Sequence, residues 1–290
     1  MKKLFGRTQH YFSLVKFSHT VFAMPFALAG YFIGATQPRY GFSLRTFMLV
    51  LACMVFARSA AMGFNRWADV RFDSLNPRTA VREIPAGKIT PRQAMIFVIA
   101  SSLLFIASAG LLNRLTLILS PVALLVILGY SYTKRFTPLC HLVLGLGLSL
   151  APIGAYIAVT GSFALLPLIY SVIVLTWVSG FDIIYSLQDD EFDRETGLYS
   201  IPAVMSRGKA LGVSAALHLI TVVMVAVAGI SGSAGYIYWT GAAVFIVMLV
   251  YQHLIVRPDD LSRVNMAFGT TNGIAGVIFG LAVVLDLLLL

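Results

Sequence analysis

The chain is a succession of long apolar runs broken by short polar segments, at about 15–36, 44–66, 93–113, 115–133, 139–160, 164–186, 209–230, 235–256 and 264–288. Each run is roughly 18 to 25 residues long, the length a helix needs to cross a hydrocarbon core ~30 Å thick. None alternates like a barrel strand, and backbone amides in lipid must find partners within their own segment, so the pattern predicts helices throughout. The expected fold is all-α and polytopic, with nine transmembrane helices. The first run follows Lys2, Lys3 and Arg7 but is too long for a signal peptide and lacks a small-residue cleavage site, so it is expected to stay as a span. No linker or low-complexity segment interrupts the chain, which reads as a single domain over 1–290.

Composition agrees with a bilayer and with little else. The chain is 59% hydrophobic and 11% charged, with mean hydropathy +0.87, where a soluble globule carries about 25% charged residues. Two cysteines, Cys53 and Cys140, both in apolar stretches, make no disulfide framework. Of 21 Lys and Arg, the alternation of nine spans puts only Arg39, Arg45 and Arg114 on the far side and Arg58 inside a span. The remaining 17 share the side of the N-terminus. By the positive-inside rule that side is cytoplasmic. The expected location is therefore a bacterial inner membrane, multi-pass, with the N-terminus and basic loops facing the cytoplasm. A net charge of +9 then lies where anionic lipid headgroups lie, and no nucleic acid partner is called for.

Headgroups do not explain the acids. Nine of the 12 Asp and Glu fall in two stretches on that same side: Asp69, Asp73 and Glu83, then Asp182, Asp189, Asp190, Glu191, Asp193 and Glu195. Asn65, Asp69 and Asp73 are spaced by four, so they form one stripe if the second helix continues past the membrane edge, each step turning the side chain by ~40°. Asp182, Tyr185, Asp189 and Asp193 span only ~80° on the same wheel, with Asp190 and Glu191 pointing elsewhere. Two facing carboxylate stripes repel unless a cation sits between them. Carboxylate and amide oxygens without His or Cys suit Mg²⁺, which takes its remaining ligands from water and substrate phosphates. Arg78, Arg82 and Lys88 follow the first stripe, and Lys134 and Arg135 end the fourth span, supplying the cations a diphosphate requires.

Asn65 to Gly87 reads N-x-x-x-D-x-x-x-D followed by N-P-R-T-x-x-R-x-I-P-x-G. Asp182 to Asp193 reads D-x-x-Y-x-x-x-D-x-x-x-D, and Tyr130 with Lys134 forms Y-x-x-x-K. At these residues the sequence resembles the UbiA superfamily of intramembrane prenyltransferases, and the likeness extends over the whole chain. The resemblance implies nine helices around a central cavity, capped on the cytoplasmic side by motif loops at about 65–91 and 182–208. It also implies Mg²⁺-dependent transfer of a prenyl chain from a polyprenyl diphosphate to a small aromatic acid or phenol. The motifs look closest to 4-hydroxybenzoate polyprenyltransferases of quinone biosynthesis; relatives acting on a dihydroxynaphthoate in menaquinone biosynthesis are the alternative.

The catalytic candidates are Asp69, Asp73, Asp182, Asp189 and Asp193. Asn65, Asp69, Asp73, Asp189 and Asp193 form the expected metal shell, and Arg78, Arg82, Lys88 and Lys134 the diphosphate site. Asp182 sits deeper and is a candidate for the acceptor's hydroxyl, with Tyr130 and Tyr185 nearby in register. Arg58, seven residues before Asn65 and ~20° from it on the wheel, faces the same interior and must find a partner there, either Asp182 or the substrate. Arg135 matches the arginine thought to hold the acceptor carboxylate in such relatives, and otherwise snorkels at the membrane edge. His19 is read as a packing histidine. Glycines such as Gly145, Gly147, Gly154, Gly269, Gly273, Gly276 and Gly280 are read as close helix contacts rather than phosphate loops. The two motif segments suggest a repeated helical unit. A transporter is the competing class, but its ionisable residues belong at the midplane, whereas most acids here lie at the membrane edge.

Overall fold

In the computed structural model, Leu14 and residues 23–289 are described, and every element is helical. The elements are α1 (Met24–Ala35), α2 (Leu44–Ala68), α3 (Val70–Leu75), α4 (Pro91–Leu112), α5 (Arg114–Thr133), α6 (Cys140–Thr160) and α7 (Leu165–Ser186). A 3₁₀ turn (Leu187–Asp189) then leads to α8 (Asp190–Thr196), α9 (Ile201–Val204), α10 (Arg207–Ser231) and α11 (Tyr236–Ile255). A π-helical turn (Met266–Thr271) runs into α12 (Asn272–Leu289). Among the described residues, eight helical runs are long and apolar enough to cross a membrane, and α1, at 12 residues, is a shorter apolar helix. The first expected span, 15–36, falls partly outside the described residues, as do Lys2, Lys3, Arg7, Lys16 and His19. The other eight coincide with the expected runs to within a few residues, apart from the extension of the sixth through the second motif.

Local chemistry sets where these helices begin and end. Ser43 accepts from the Thr46 amide at the start of α2, and Thr90 and Gln93 form a reciprocal cap around Pro91 at the start of α4. Asn113 and Thr116 do the same for α5, which lets α4 and α5 turn back on each other through one residue. Gly161 and Gly197, at φ near +70°, end α6 and α8 in the left-handed conformation that other residues resist. At the opposite end from the motifs, buried Asp286 accepts from the Gly235 and Tyr238 amides at 2.8 and 3.0 Å, capping α11 with a side chain from α12.

The packing order carries the cavity. α2 lies along α4, α4 against α5, α5 against α6, α6 against α1, and α1 against α12, with α7 packed between α6 and α10. Helices in lipid gain little from hydrophobic burial and associate by close contact of small residues. At Gly30 of α1 an added Cβ lies 2.0 Å from the Pro152 carbonyl oxygen of α6, and at Gly280 of α12 it lies 2.1 Å from the Cβ of Pro25. Gly145 and Gly276 make similar approaches to Leu175 and Trp177, while Gly154 and Gly269 face open space. Gly30→Ala is therefore expected to lower the melting temperature in detergent, by an overpacking cost of about 1–3 kcal/mol. Gly212→Ala, with nothing within 4 Å, serves as the control and should not lower it.

Candidate active site

The two motifs meet at one end of the bundle, above a cavity of about 600 Å³ lined from α1 through α8 and by Phe268. α2 ends at Ala68 and α3 resumes at Val70 around Asp69, whose carbonyl still accepts from the Asp73 amide at 2.8 Å. The helical path is nearly continuous, so Asn65, Asp69 and Asp73 all line the cavity. In the second motif the 3₁₀ turn at 187–189 advances each residue by more than an α-helix does. Asp182, Tyr185, Asp189 and Asp193 still share the cavity face. Asp190 turns away and is tied to Arg194 and Arg207, at 2.9 and 2.8 Å.

The motifs touch directly. Arg78 grips Asp189 with its fork: Nε donates to Oδ1 at 3.0 Å and Nη2 pairs with Oδ2. Asn76 donates to the same Oδ1 at 3.1 Å and accepts from the Arg78 amide at 2.9 Å, so it organises both partners. Arg78 Nη1 also donates to the Tyr185 hydroxyl at 3.0 Å. Arg82 pairs with Asp73 at 2.6 Å and Lys134 with Asp193 at 2.7 Å, and Ser200 donates to the other oxygen of Asp193 at 2.8 Å. Asp69 accepts from Asn65 at 2.9 Å, with Arg135 at 3.5 Å. Four candidate acids thus face four bases.

The charge states follow. Burial and the neighbouring Asp73 push Asp69 up to about 6, against the pull of Arg135 and Lys134. Burial works against the charges of Arg78 and Lys134, but their carboxylates outweigh it and hold both above their ordinary values. The donor set suits Mg²⁺: amide and carboxylate oxygens from both motifs, including Asp73 Oδ2, which is buried and accepts no hydrogen bond among the described residues. Among those residues no three acidic, His or Cys groups are gathered around one point, because each carboxylate is drawn toward its own base.

A second tier lies deeper. Seven residues of helix separate Arg58 from Asn65, and seven separate Asp182 from Asp189, about 10 Å along each axis. Arg58, Asp182 and Tyr130 all line the cavity at this level. Arg58 and Asp182 do not pair with each other: Asp182 Oδ2 lies 2.7 Å from His141 Nδ1, while Arg58 Nε is buried with no partner among the described residues. The reason is local, since His141 in the first turn of α6 stands beside α7, whereas Arg58 projects from α2. Arg135 is occupied at the upper tier, donating to the Ala68 carbonyl at 2.6 Å and lying over the rings of Tyr132 and Phe72. Lys88 is exposed in the first motif loop and is not among the cavity-lining residues.

Four polar residues at the site escaped the reading of the sequence. Arg66, buried at 4% exposure with its Nε unpartnered among the described residues, lines the cavity beside Asn65. Asn76 and Ser200 support Asp189 and Asp193, and His141 supports Asp182. Asn76 and Ser200 lie within or just beyond the quoted motifs, so their place there was the available signal. His141 lies outside both motifs and had none.

The model of the UbiA prenyltransferase family matches residues 23–280. The chain belongs to the UbiA prenyltransferase family. It is a multi-pass membrane prenyltransferase. It is 31% identical over 251 residues to a 4-hydroxybenzoate octaprenyltransferase of Aeromonas salmonicida, covering 85% of this chain and 84% of that protein. A protein of the same description from Nitrosospira multiformis is 31% identical over 234 residues, 81% of this chain and 80% of the other. The apo structure of a UbiA homolog from Aeropyrum pernix superposes with a TM-score of 0.83 at 35% identity, covering 92% of this chain and 98% of that one. A UbiA homolog from Archaeoglobus fulgidus, bound to DMAPP and Mg²⁺, shares the fold at 21% identity with a TM-score of 0.76, covering 97% and 99%.

Proposed function

We propose that this UbiA family member transfers a polyprenyl group from a polyprenyl diphosphate to the ring of 4-hydroxybenzoate, with Mg²⁺ at the upper tier and the aromatic acid at the lower. The observation that carries the reading is the two-tier cavity, with matched acids and bases above and an arginine with a spare donor below. Relatives named for 4-hydroxybenzoate and a homolog bound to DMAPP and Mg²⁺ support it.

Asn65, Asp69, Asp73, Asp189 and Asp193 would hold the metal, which supplies the positive charge that lets a diphosphate depart. Arg78, Arg82 and Lys134, paired with those carboxylates, are positioned to exchange them for phosphate oxygens and so stabilise the leaving group. The exchange leaves no charge stranded, because a metal diphosphate brings both signs at once. Below, mostly apolar walls exclude water from the allylic cation, and the aromatic side chains that line the cavity, Phe181 and Phe268 among them, offer electron density to a positive carbon. Arg58 would hold the acceptor carboxylate and Asp182 its hydroxyl, turning the electron-rich ring toward the cation, with Tyr130 as part of the wall. Membrane lipid surrounds the bundle, and the motif end is assigned to the cytoplasm by the charge distribution of the loops.

Product analysis tests the reading. Purified protein is given a polyprenyl diphosphate, Mg²⁺ and, in competition, 4-hydroxybenzoate and a dihydroxynaphthoate, and the products are weighed by mass spectrometry. The expected product is the prenylated hydroxybenzoate, formed only with Mg²⁺. Predominant prenylation of the naphthoate would move the acceptor to the other class, and gradient-driven uptake into proteoliposomes without any product would end the enzyme reading.

A further inference from the structure

We propose that His141 is a positioning residue for this transfer, holding one oxygen of Asp182 so that the other is presented to the acceptor's hydroxyl. The inference rests on the assignment of Asp182 to the acceptor and goes beyond it.

His141 is 2% exposed, and both of its ring nitrogens are engaged. The Ile201 amide donates to Nε2 at 3.3 Å. A backbone N–H can only donate, so Nε2 carries the lone pair and the ring proton resides on Nδ1. That proton is donated to Asp182 Oδ2 at 2.7 Å. The backbone of His141 is held as well, its carbonyl accepting from Ser179 Oγ at 3.1 Å. The imidazole is therefore fixed in position, rotamer and tautomer by α7 on one side and the Ser200–Ile201 turn on the other.

Asp182, by contrast, is satisfied on one side only. Its side chain is 17% exposed and lines the cavity, and Oδ1 accepts no hydrogen bond among the described residues. A carboxylate held by one oxygen loses its rotational freedom and offers the other lone pairs in a fixed direction, which favours one orientation of a bound phenol. The far anchor is the same turn whose Ser200 donates to Asp193 at 2.8 Å, so the acceptor group is referenced to the segment that supports a metal-tier carboxylate.

The consequence is in how the allylic cation is divided. A well-oriented ring captures the cation, forming a C–C bond and then releasing the ring proton. A misplaced ring leaves it to water, whose oxygen bonds to the allylic carbon while a proton departs, giving a prenyl alcohol. His141→Leu removes the donor and His141→Gln retains a donor and an acceptor on one amide. The expected result for His141→Leu is a rise of about tenfold in the acceptor KM and in the ratio of prenyl alcohol to prenylated aromatic, with the donor KM within about twofold of wild type. His141→Gln should recover most of both. Wild-type values in His141→Leu would overturn the proposal, as would loss of donor and acceptor binding in equal measure, which a merely structural histidine predicts.

A second measurement separates this inference from the reading beneath it. In ¹⁵N-histidine NMR spectra of the full protein, the resonance missing from His141→Leu should show a protonated Nδ1 and a bare Nε2, and its Nδ1 signal should move in Asp182→Asn. The opposite tautomer would overturn the dyad even in an active enzyme. A wild-type protein that prenylates no phenol would bring down the functional reading, while the tautomer would still decide the His141 contact.

Discussion

Asp189→Ala is expected to reduce Mg²⁺-dependent turnover by about three orders of magnitude, roughly 4 kcal/mol in the barrier, while the protein still inserts and remains folded. Asp189 joins the motifs: it receives both arms of the Arg78 fork and the side-chain amide of Asn76, and it is the last residue of the 3₁₀ turn, directly before α8. Its removal takes one carboxylate from the proposed metal shell and frees Arg78 from the direction in which it is held. The two losses are distinguishable. If Asp189 matters chiefly as a metal ligand, half-saturation by Mg²⁺ rises steeply in Asp189→Ala and changes little in Arg78→Ala, whose defect appears in the donor KM. If it matters chiefly by aiming Arg78, both variants weaken the donor and leave the Mg²⁺ requirement alone. Steady-state titration of Mg²⁺ and donor in the two variants decides, and wild-type turnover in Asp189→Ala would remove the metal assignment. The bundle is expected to tolerate the change because Asp189 sits at the membrane edge, outside the aromatic packing around Trp177.

The spans were legible because the bilayer imposes a length that no soluble fold requires, and caps such as Ser43, Thr90 and Asn113 closed them where polar residues appear in the sequence. Spacing alone brought Asn65, Asp69 and Asp73 to one face, since a helix interrupted only at Asp69 keeps its register. The second stripe survived for a less general reason. Its 3₁₀ turn changes the angle between Asp182 and Asp189, and a helical wheel does not contain that turn. Partners across the bundle were not legible at all. Arg58 and Asp182 share a depth and a cavity, which makes a pair plausible on paper, but the partner of Asp182 is decided by which helix stands next to α7. That helix is α6, and it brings His141. Likewise Lys88 follows Arg78 and Arg82 in sequence, yet the turn ending at Gly87, φ +70°, belongs to a loop that leaves Lys88 outside the cavity.

Arg58→Met is expected to separate function from stability. In the protein as it stands, the guanidinium lines the deeper level of the cavity, with Nε buried and unpartnered among the described residues and Asp182, the acid at that level, already engaged by His141. A charge so placed costs folding free energy, and an unbranched apolar side chain of similar length removes the cost without opening a large void. The melting temperature in detergent should therefore hold steady or rise. The acceptor should suffer in proportion to the hydrogen bonds a carboxylate would make to the fork, about 2–3 kcal/mol, or roughly 30- to 150-fold in KM for 4-hydroxybenzoate. A phenol without the carboxylate provides the control, since Arg58→Met should leave its turnover unchanged or improved. Arg135→Ala separates the other candidate for the carboxylate: because Arg135 touches Asp69 and the end of α2, a loss confined to 4-hydroxybenzoate would place the carboxylate there instead. Equal KM values for 4-hydroxybenzoate in wild type and Arg58→Met, measured with the same donor, would leave the unpaired arginine without the ligand assigned to it.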